Sequence, residues 1–524
     1  MTKLLNNKLF VIYFAPFLLG IITIFGFPPF NFTILNFFSF SLLLFLLQTV
    51  KKRTESKYRK KKSNRYFFYL GCAFGFGFFL FGNYWISISL THDETLKNFI
   101  PFSLFLIPLF LSLFFGLAIL ITGPFSNQSI SFILFFSTIF CIFEFIRGNI
   151  LTGFPWNLIS YTWSWSTELI QILSLIGSYS LSLISITFFC IPFLFLQKKL
   201  LKKNIYFSIF FVIIFSLNYI YGINKINNDT YSFDKNIRVK IISPNFSLKD
   251  YNTRNEIDQL ERLIKISNPE KDKKTLFIWP EGIFYESNLE NIALYKNLFS
   301  DKFSKNHLIA LGINNFAKEI NSENKKYFNS LVIFNNKLEI LSIYNKVNLV
   351  PFGEFLPFEK ILSRLGLKKV TYGYNSFSSG TERELINLGN SFNDKLILPL
   401  ICYEIIYPSK IKLKNQKPDL VINISEDAWF GESIGPYQHF SKAIYRSVEE
   451  GIFIARSANK GISGFINPNG KVIKSLYTGE SGNIELDFPY FSQSTLFSNY
   501  GNKIFFLIIF LYILLTLILK KFKI

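Results

Sequence analysis

Leu396-Ile397-Leu398-Pro399-Leu400-Ile401-Cys402-Tyr403-Glu404 decides how the polar half of this chain folds. An apolar run of that length reads as a β-strand, and it leaves Cys402 at the strand's carboxyl end, where α/β folds build their sites. The chain has four cysteines, and Cys72, Cys141 and Cys190 all fall inside longer apolar stretches. Cys402 therefore has no disulfide partner in the polar part. An unpaired thiol in an oxidising compartment is a liability unless it is used. Position alone leaves a second reading open, a buried and inert structural thiol.

Outward from this strand, residues 236–491 alternate short β-branched or apolar runs with amphipathic stretches, the texture of a layered α/β domain. Strands are predicted at Arg238–Ile242, Leu276–Trp279, Leu308–Gly312, Leu331–Phe334, Leu396–Ile401, Leu420–Ile424, Ile452–Ser457 and Gly464–Ile466. Helices are predicted at Arg254–Ile266 and at Tyr437–Glu450, which stops at Gly451 as a C-terminal cap would. Pro468-Asn469-Gly470 marks a turn between two late strands.

The rest of the chain is of another class. With 524 residues, 50% hydrophobic and 19% aromatic, it carries too much apolar surface for one soluble core. Eight stretches approach the ~20 residues that a spanning helix needs, near 9–26, 31–50, 67–90, 101–123, 129–147, 168–196, 205–222 and 504–519. Lys51, Lys52, Arg53, Lys57, Arg59, Lys60, Lys61, Lys62 and Arg65 follow the second, which the positive-inside rule puts in the cytoplasm. Lys198, Lys199, Lys202 and Lys203, then Lys520, Lys521 and Lys523, fall on the same side in that count. The expected organisation is a membrane domain over 1–222 with seven spans, an extracytoplasmic domain over 223–503, and a last span with a basic tail over 504–524. The net charge of +21 is thus spread as topology signals between spans rather than gathered into a nucleic-acid surface.

Thiol chemistry needs a base and a cation, and two other strand ends supply them: Trp279-Pro280-Glu281 and Tyr344-Asn345-Lys346. A carboxylate in a partly apolar site can take the thiol proton, and an ammonium favours first a thiolate and then an oxyanion. Taken singly, either residue is more commonly a solvated surface charge.

Together, Trp279-Pro280-Glu281, the run Tyr344-Asn345-Lys346-Val347-Asn348-Leu349-Val350-Pro351-Phe352-Gly353-Glu354 and Ile401-Cys402-Tyr403-Glu404 resemble the apolipoprotein N-acyltransferases of the nitrilase superfamily. The similarity continues through residues 423–431, Gly435-Pro436, Gln438-His439, Arg446, Glu449 and residues 456–463. What this resemblance implies is a polytopic α-helical membrane protein of eight spans with an α/β/β/α nitrilase-like sandwich. It implies Glu281 as general base, Lys346 as oxyanion stabiliser and Cys402 as nucleophile. Glu354 would orient Lys346 or assist proton transfer, Tyr403 would lend a backbone N–H to the oxyanion, and Glu404 would support the site. Asn348, Glu426 and the residues near Ser243 depart from the family pattern, and Tyr251 is only the nearest aromatic to the family's gating tryptophan.

The implied reaction moves an acyl chain from a phospholipid, typically phosphatidylethanolamine, to the α-amine of a diacylated apolipoprotein through a cysteine thioester, at the outer face of the bacterial inner membrane. A membrane-anchored amidase, in which water resolves the acyl-enzyme, is the nearest alternative. A receptor or transporter is the other, and the scarcity of ionisable residues such as Glu144 within the spans argues against it. No cofactor is expected, since three scattered histidines make no zinc site of usual spacing. His439 invites a Cys–His dyad, which the Glu281–Lys346 pairing makes unnecessary. Residues 355–369 read as an interfacial amphipathic helix or one packed on the domain's own core. Trp156, Tyr161, Trp163 and Trp165 read as an interfacial aromatic belt, or as the lining of a lipid entrance.

Overall fold

The computed structural model describes residues 5, 7–54, 60–196, 202–248, 255–318, 325–365, 369–370, 376–411, 417–490 and 494–522. Tyr251, Lys57, Arg59, Lys198, Lys199 and Lys523 lie outside them. The chain divides into two compact units: Met1–Ser87, Asn98–Asn228 and Thr495–Ile524 in one, Ile88–Lys97 and Asp229–Ser494 in the other.

The first unit is helical. Among the described residues, seven helices are long and apolar enough to cross a membrane: Ile34–Thr54, Asn64–Asn83, Glu94–Phe125, Ile130–Asn149, Leu169–Leu196, Lys202–Asn228 and Lys503–Lys521. The first candidate is an apolar helix over Phe10–Ile24, shorter than the rest. At 1.5 Å per residue, its 15 residues span roughly 22 Å. The Leu169–Leu196 element is broken at Gly177, where φ is 74° and a Cβ would lie 2.0 Å from the Phe497 ring. Only glycine meets both constraints.

The belt reading does not hold for three of its four aromatics. Trp156, Tyr161 and Trp163 are buried among the helices, while Trp165 alone, at 53% exposure, faces outward. Within the same unit Glu144 and Arg147 pair at 3.9 Å and tie down the following loop: Glu144 accepts the Ile159 N–H, and Arg147 donates to the Phe154 and Asn157 carbonyls.

The second unit is a sandwich of two six-stranded sheets. Its strands are β1 (Ser232–Ser243), β2 (Lys274–Ile278), β3 (His307–Lys318), β4 (Lys325–Asn335), β5 (Ile340–Asn345), β6 (Ile386–Asn387), β7 (Leu396–Ile401), β8 (Leu420–Glu426), β9 (Ile454–Asn459), β10 (Ser463–Ile466), β11 (Val472–Leu476) and β12 (Gly482–Tyr490). One sheet runs β12-β1-β2-β3-β4-β5 and the other β11-β10-β9-β8-β7-β6. Each is parallel at its centre, β1-β2-β3 and β7-β8-β9, with antiparallel strands outside.

The strands read as continuous apolar runs because both faces are covered. In β2, Leu276 and Ile278 join the core between the sheets, and Phe277 joins the outer core beneath the Glu256–Ser267 helix. In β4, Leu331 and Ile333 face inward while Val332 and Phe334 face the helices. The Gly435–Glu450 helix covers the other sheet and ends on Gly451 at φ 67°. The layers are thus the α/β/β/α order that the resemblance implies.

Residues 355–369 are not a continuous helix. Phe358, at φ 51° and 75% exposed, precedes a helix of four residues, Glu359–Leu362, and one further turn over Ser363–Leu365. Leu367 and Lys368 lie outside the described residues.

Candidate active site

Three strand ends bring the site together. Glu281 follows β2, Lys346 follows β5, and Cys402 begins the short 3-10 turn Cys402–Ile406 directly after β7. Glu281 and Lys346 share one sheet with two strands between them, and Cys402 belongs to the other. Gly312 on β3 leaves room for Glu281: a Cβ there would stand 2.7 Å from the Glu281 Cα.

Lys346 is buried and lies between two carboxylates, 2.9 Å from Glu354 Oε1 and 3.4 Å from Glu281 Oε1. Asn329 on β4 bridges the same two oxygens, donating to Glu281 at 2.6 Å and Glu354 at 2.8 Å. The second oxygen of each carboxylate takes a backbone N–H, from Glu426 at 3.0 Å for Glu281 and from Val350 at 2.8 Å for Glu354. Burial alone lowers a lysine's pKa, but Glu281 and Glu354 outweigh it and hold Lys346 well above its ordinary value. The ammonium is charged at every physiological pH.

Cys402 packs at the edge of the inter-sheet core. Burial and the charge of Glu281 push its thiol well above the usual range, while Lys346 pulls it back in part. The resting residue is therefore a thiol, which could serve as a nucleophile only with a base to take its proton.

Glu404, fully buried, ties the cysteine and lysine segments together. It accepts the Ile401 N–H at 2.9 Å, the Val347 and Asn348 N–H groups at 3.0 and 3.1 Å, and the Tyr344 hydroxyl at 2.8 Å. Arg383 supplies its counter-charge at 3.2 Å and also reaches the Asn348 side chain. Glu426 accepts the Asn459 amide at 2.9 Å on both oxygens, and Asn459 in turn holds the Phe246 backbone.

Asn329, Arg383 and the Glu426 backbone were not singled out from sequence. Asn329 sits 48 positions from Glu281, and a lone Asn at the start of an apolar run carries no local signal of such a contact.

Residues 19–191 match the family model described as the apolipoprotein N-acyltransferase N-terminal domain, and residues 276–488 match the carbon-nitrogen hydrolase model. The apolipoprotein N-acyltransferase of Brucella suis is 31% identical over 91% of this chain and 89% of its own. That of Rickettsia typhi is 33% identical over 93% and 94%. This chain belongs to the apolipoprotein N-acyltransferases. It is thus an N-acyltransferase with a multi-pass helical unit, and the motifs around Glu281, Lys346 and Cys402 resemble the family to which the whole chain belongs. Among solved structures, an amidase from Nesterenkonia sp. AN1 aligns over 48% of this chain and 93% of its own, at 15% identity and a TM-score of 0.32.

Proposed function

We propose that this N-acyltransferase takes an acyl chain from a membrane phospholipid, typically phosphatidylethanolamine, and delivers it through a Cys402 thioester to the α-amine of a diacylated apolipoprotein. The supporting observation is one buried cation for two buried carboxylates: Lys346 between Glu281 and Glu354. Glu354 is the closer partner and neutralises the lysine, which leaves Glu281 as the carboxylate free to accept a proton.

In the first step Glu281 takes the thiol proton as Cys402 Sγ attacks the ester carbonyl. The oxyanion forms against the Lys346 ammonium and the Tyr403 backbone N–H, with Glu404 holding the segments that carry them. Collapse breaks the ester C–O bond, and the proton on Glu281 goes to the departing lysophospholipid oxygen. In the second step the α-amine of the acceptor attacks the thioester carbonyl and Glu281 accepts the amine proton. The C–S bond breaks, the proton returns to sulfur, and an amide leaves.

By the positive-inside rule, Lys51, Lys52 and Arg53 in the last turn of Ile34–Thr54 put that helix end in the cytoplasm and residues 223–503 outside the inner membrane. Two lipid-anchored substrates then reach the site by lateral diffusion rather than by extraction. Purified full-length enzyme incubated with labelled phosphatidylethanolamine should carry the acyl mass on the Cys402 peptide and release lysophospholipid. A diacylated lipopeptide should then discharge it as an amide. No adduct on Cys402 refutes the covalent route, and discharge only to free fatty acid favours an amidase.

A further inference from the structure

His439 has no part in the steps above, yet it touches the residue that performs them. Its ring is fully buried on the Gly435–Glu450 helix, with Nε2 3.3 Å from the Cys402 carbonyl oxygen. Cys402 has φ 50°. A non-glycine residue enters that left-handed region at a cost of about 1–3 kcal/mol and stays there only where its surroundings hold it.

The partners of the two ring nitrogens together identify the tautomer. Nδ1 lies 3.0 Å from Arg456 Nη2 and 3.0 Å from Asp427 Oδ1. Nδ1 thus meets one donor and one acceptor, whereas the Cys402 carbonyl that faces Nε2 only accepts. Asp427 already accepts Ser425 Oγ at 2.6 Å on Oδ1 and Arg456 at 2.8 Å on Oδ2. The ring proton thus belongs on Nε2, facing the Cys402 carbonyl. Burial and the Arg456 charge lower the ring's pKa to about 4, so it is neutral and carries one N–H.

We propose that His439 is a positioning residue whose Nε2–H pins the Cys402 carbonyl and holds the left-handed backbone at the nucleophile. Through that backbone it sets the direction of the thiol and of the adjoining Tyr403 N–H. It is not the base of a Cys–His dyad, since both ring nitrogens are engaged with other groups. Asn423 restrains the preceding strand in the same way, donating to the Leu400 carbonyl at 3.2 Å while Arg456 holds its side-chain oxygen.

This inference rests on Cys402 as nucleophile, and its test separates the two ideas. In full-length enzyme, two rates are measured at Cys402: acylation by phosphatidylethanolamine, and alkylation by iodoacetamide, which needs the thiol but forms no oxyanion. In His439→Met, acylation should fall about 100-fold, the scale of a misplaced oxyanion donor, and alkylation should change less than about threefold. His439→Gln, which restores a donor, should return acylation to within about tenfold of the parent rate. The idea is overturned if both rates fall together, if neither falls, or if Gln acylates no faster than Met. Should the Met variant fail to accumulate, Gln is compared with His439→Leu, which has no donor, and equal acylation in the two overturns the donor role. A parent enzyme that forms no adduct at all refutes the nucleophile itself.

Discussion

Two buried charge clusters flank Cys402, and they differ in balance. On one sheet Lys346 serves Glu281 and Glu354, so one positive charge meets two negative ones. On the other, Arg456 serves Asp427 at 2.8 Å, and His439 beside them is neutral. The balanced cluster is closed to solvent, with Asp427, Arg456 and His439 all fully buried. The unbalanced one opens slightly at Glu281, at 8% exposure. A buried charge without a full counter-charge is costly and persists where chemistry needs it, whereas a neutral, hydrogen-bonded network serves to fix geometry. The same residue types thus do two jobs on either side of one thiol.

The largest test of that contrast lies inside the unbalanced cluster. Glu281→Gln keeps the shape but removes the proposed base, and acyl transfer should fall about 10³-fold. Glu354→Gln leaves Lys346 paired with Glu281, which then becomes a counter-ion as well as a base, and the loss should be nearer tenfold. Single-turnover formation of the Cys402 adduct measures both. Equal losses would mean that the two carboxylates are interchangeable and that the charge count assigns no roles.

In the balanced cluster the effect should be on stability. Asp427→Asn strands the Arg456 guanidinium in the interior, and breaking a buried pair in this way costs about 3–5 kcal/mol. Hydrogen exchange in β8 and β9 should speed up accordingly, while the protein that remains folded keeps most of its adduct rate. A fold as protected as the parent's with a lost reaction would invert the two jobs.

Legibility in the sequence followed burial. Strands covered on both faces, such as Leu396–Ile401 and Leu420–Glu426, announce themselves as apolar runs, and their ends carry Cys402 and Glu426. β6, only two residues long, and β12, of mixed exposure, both at sheet margins, were not among the predicted strands. Hydropathy also cannot distinguish a protein interior from lipid, which is why Trp156, Tyr161 and Trp163 read as a belt although they are core. The pattern at 355–369 has helical spacing, but Phe358 in a left-handed conformation stops the helix from forming over the whole stretch. Motifs named Glu281, Lys346 and Cys402, whereas Asn329 and Arg383 act across 48 and 21 positions and emerge only with the tertiary fold.

The smallest expected effect is a pH dependence confined to the balanced cluster. The folded pKa of His439 is near 4, below the ~6.5 of an unfolded histidine, because burial and Arg456 disfavour its charged form. Between those values the unfolded chain binds the proton and the folded one does not, so stability falls as pH drops from about 6.5 towards 4 and is fully present above that window. Asp427 has the opposite charge but the same direction of shift: burial alone would raise it, yet the Arg456 charge and the Ser425 hydroxyl hold it well below the ordinary carboxylate range. Its contribution is therefore lost only further down, below about 3.8. Exchange protection in β8 and β9, corrected for the intrinsic pH dependence of exchange, should decline across the histidine window by on the order of 2–3 kcal/mol. His439→Gln, which has nothing to titrate, should flatten that decline and leave the lower one in place. A slope that survives the substitution would assign the titration to a group outside the cluster and remove the claim that His439 is buried neutral beside Cys402.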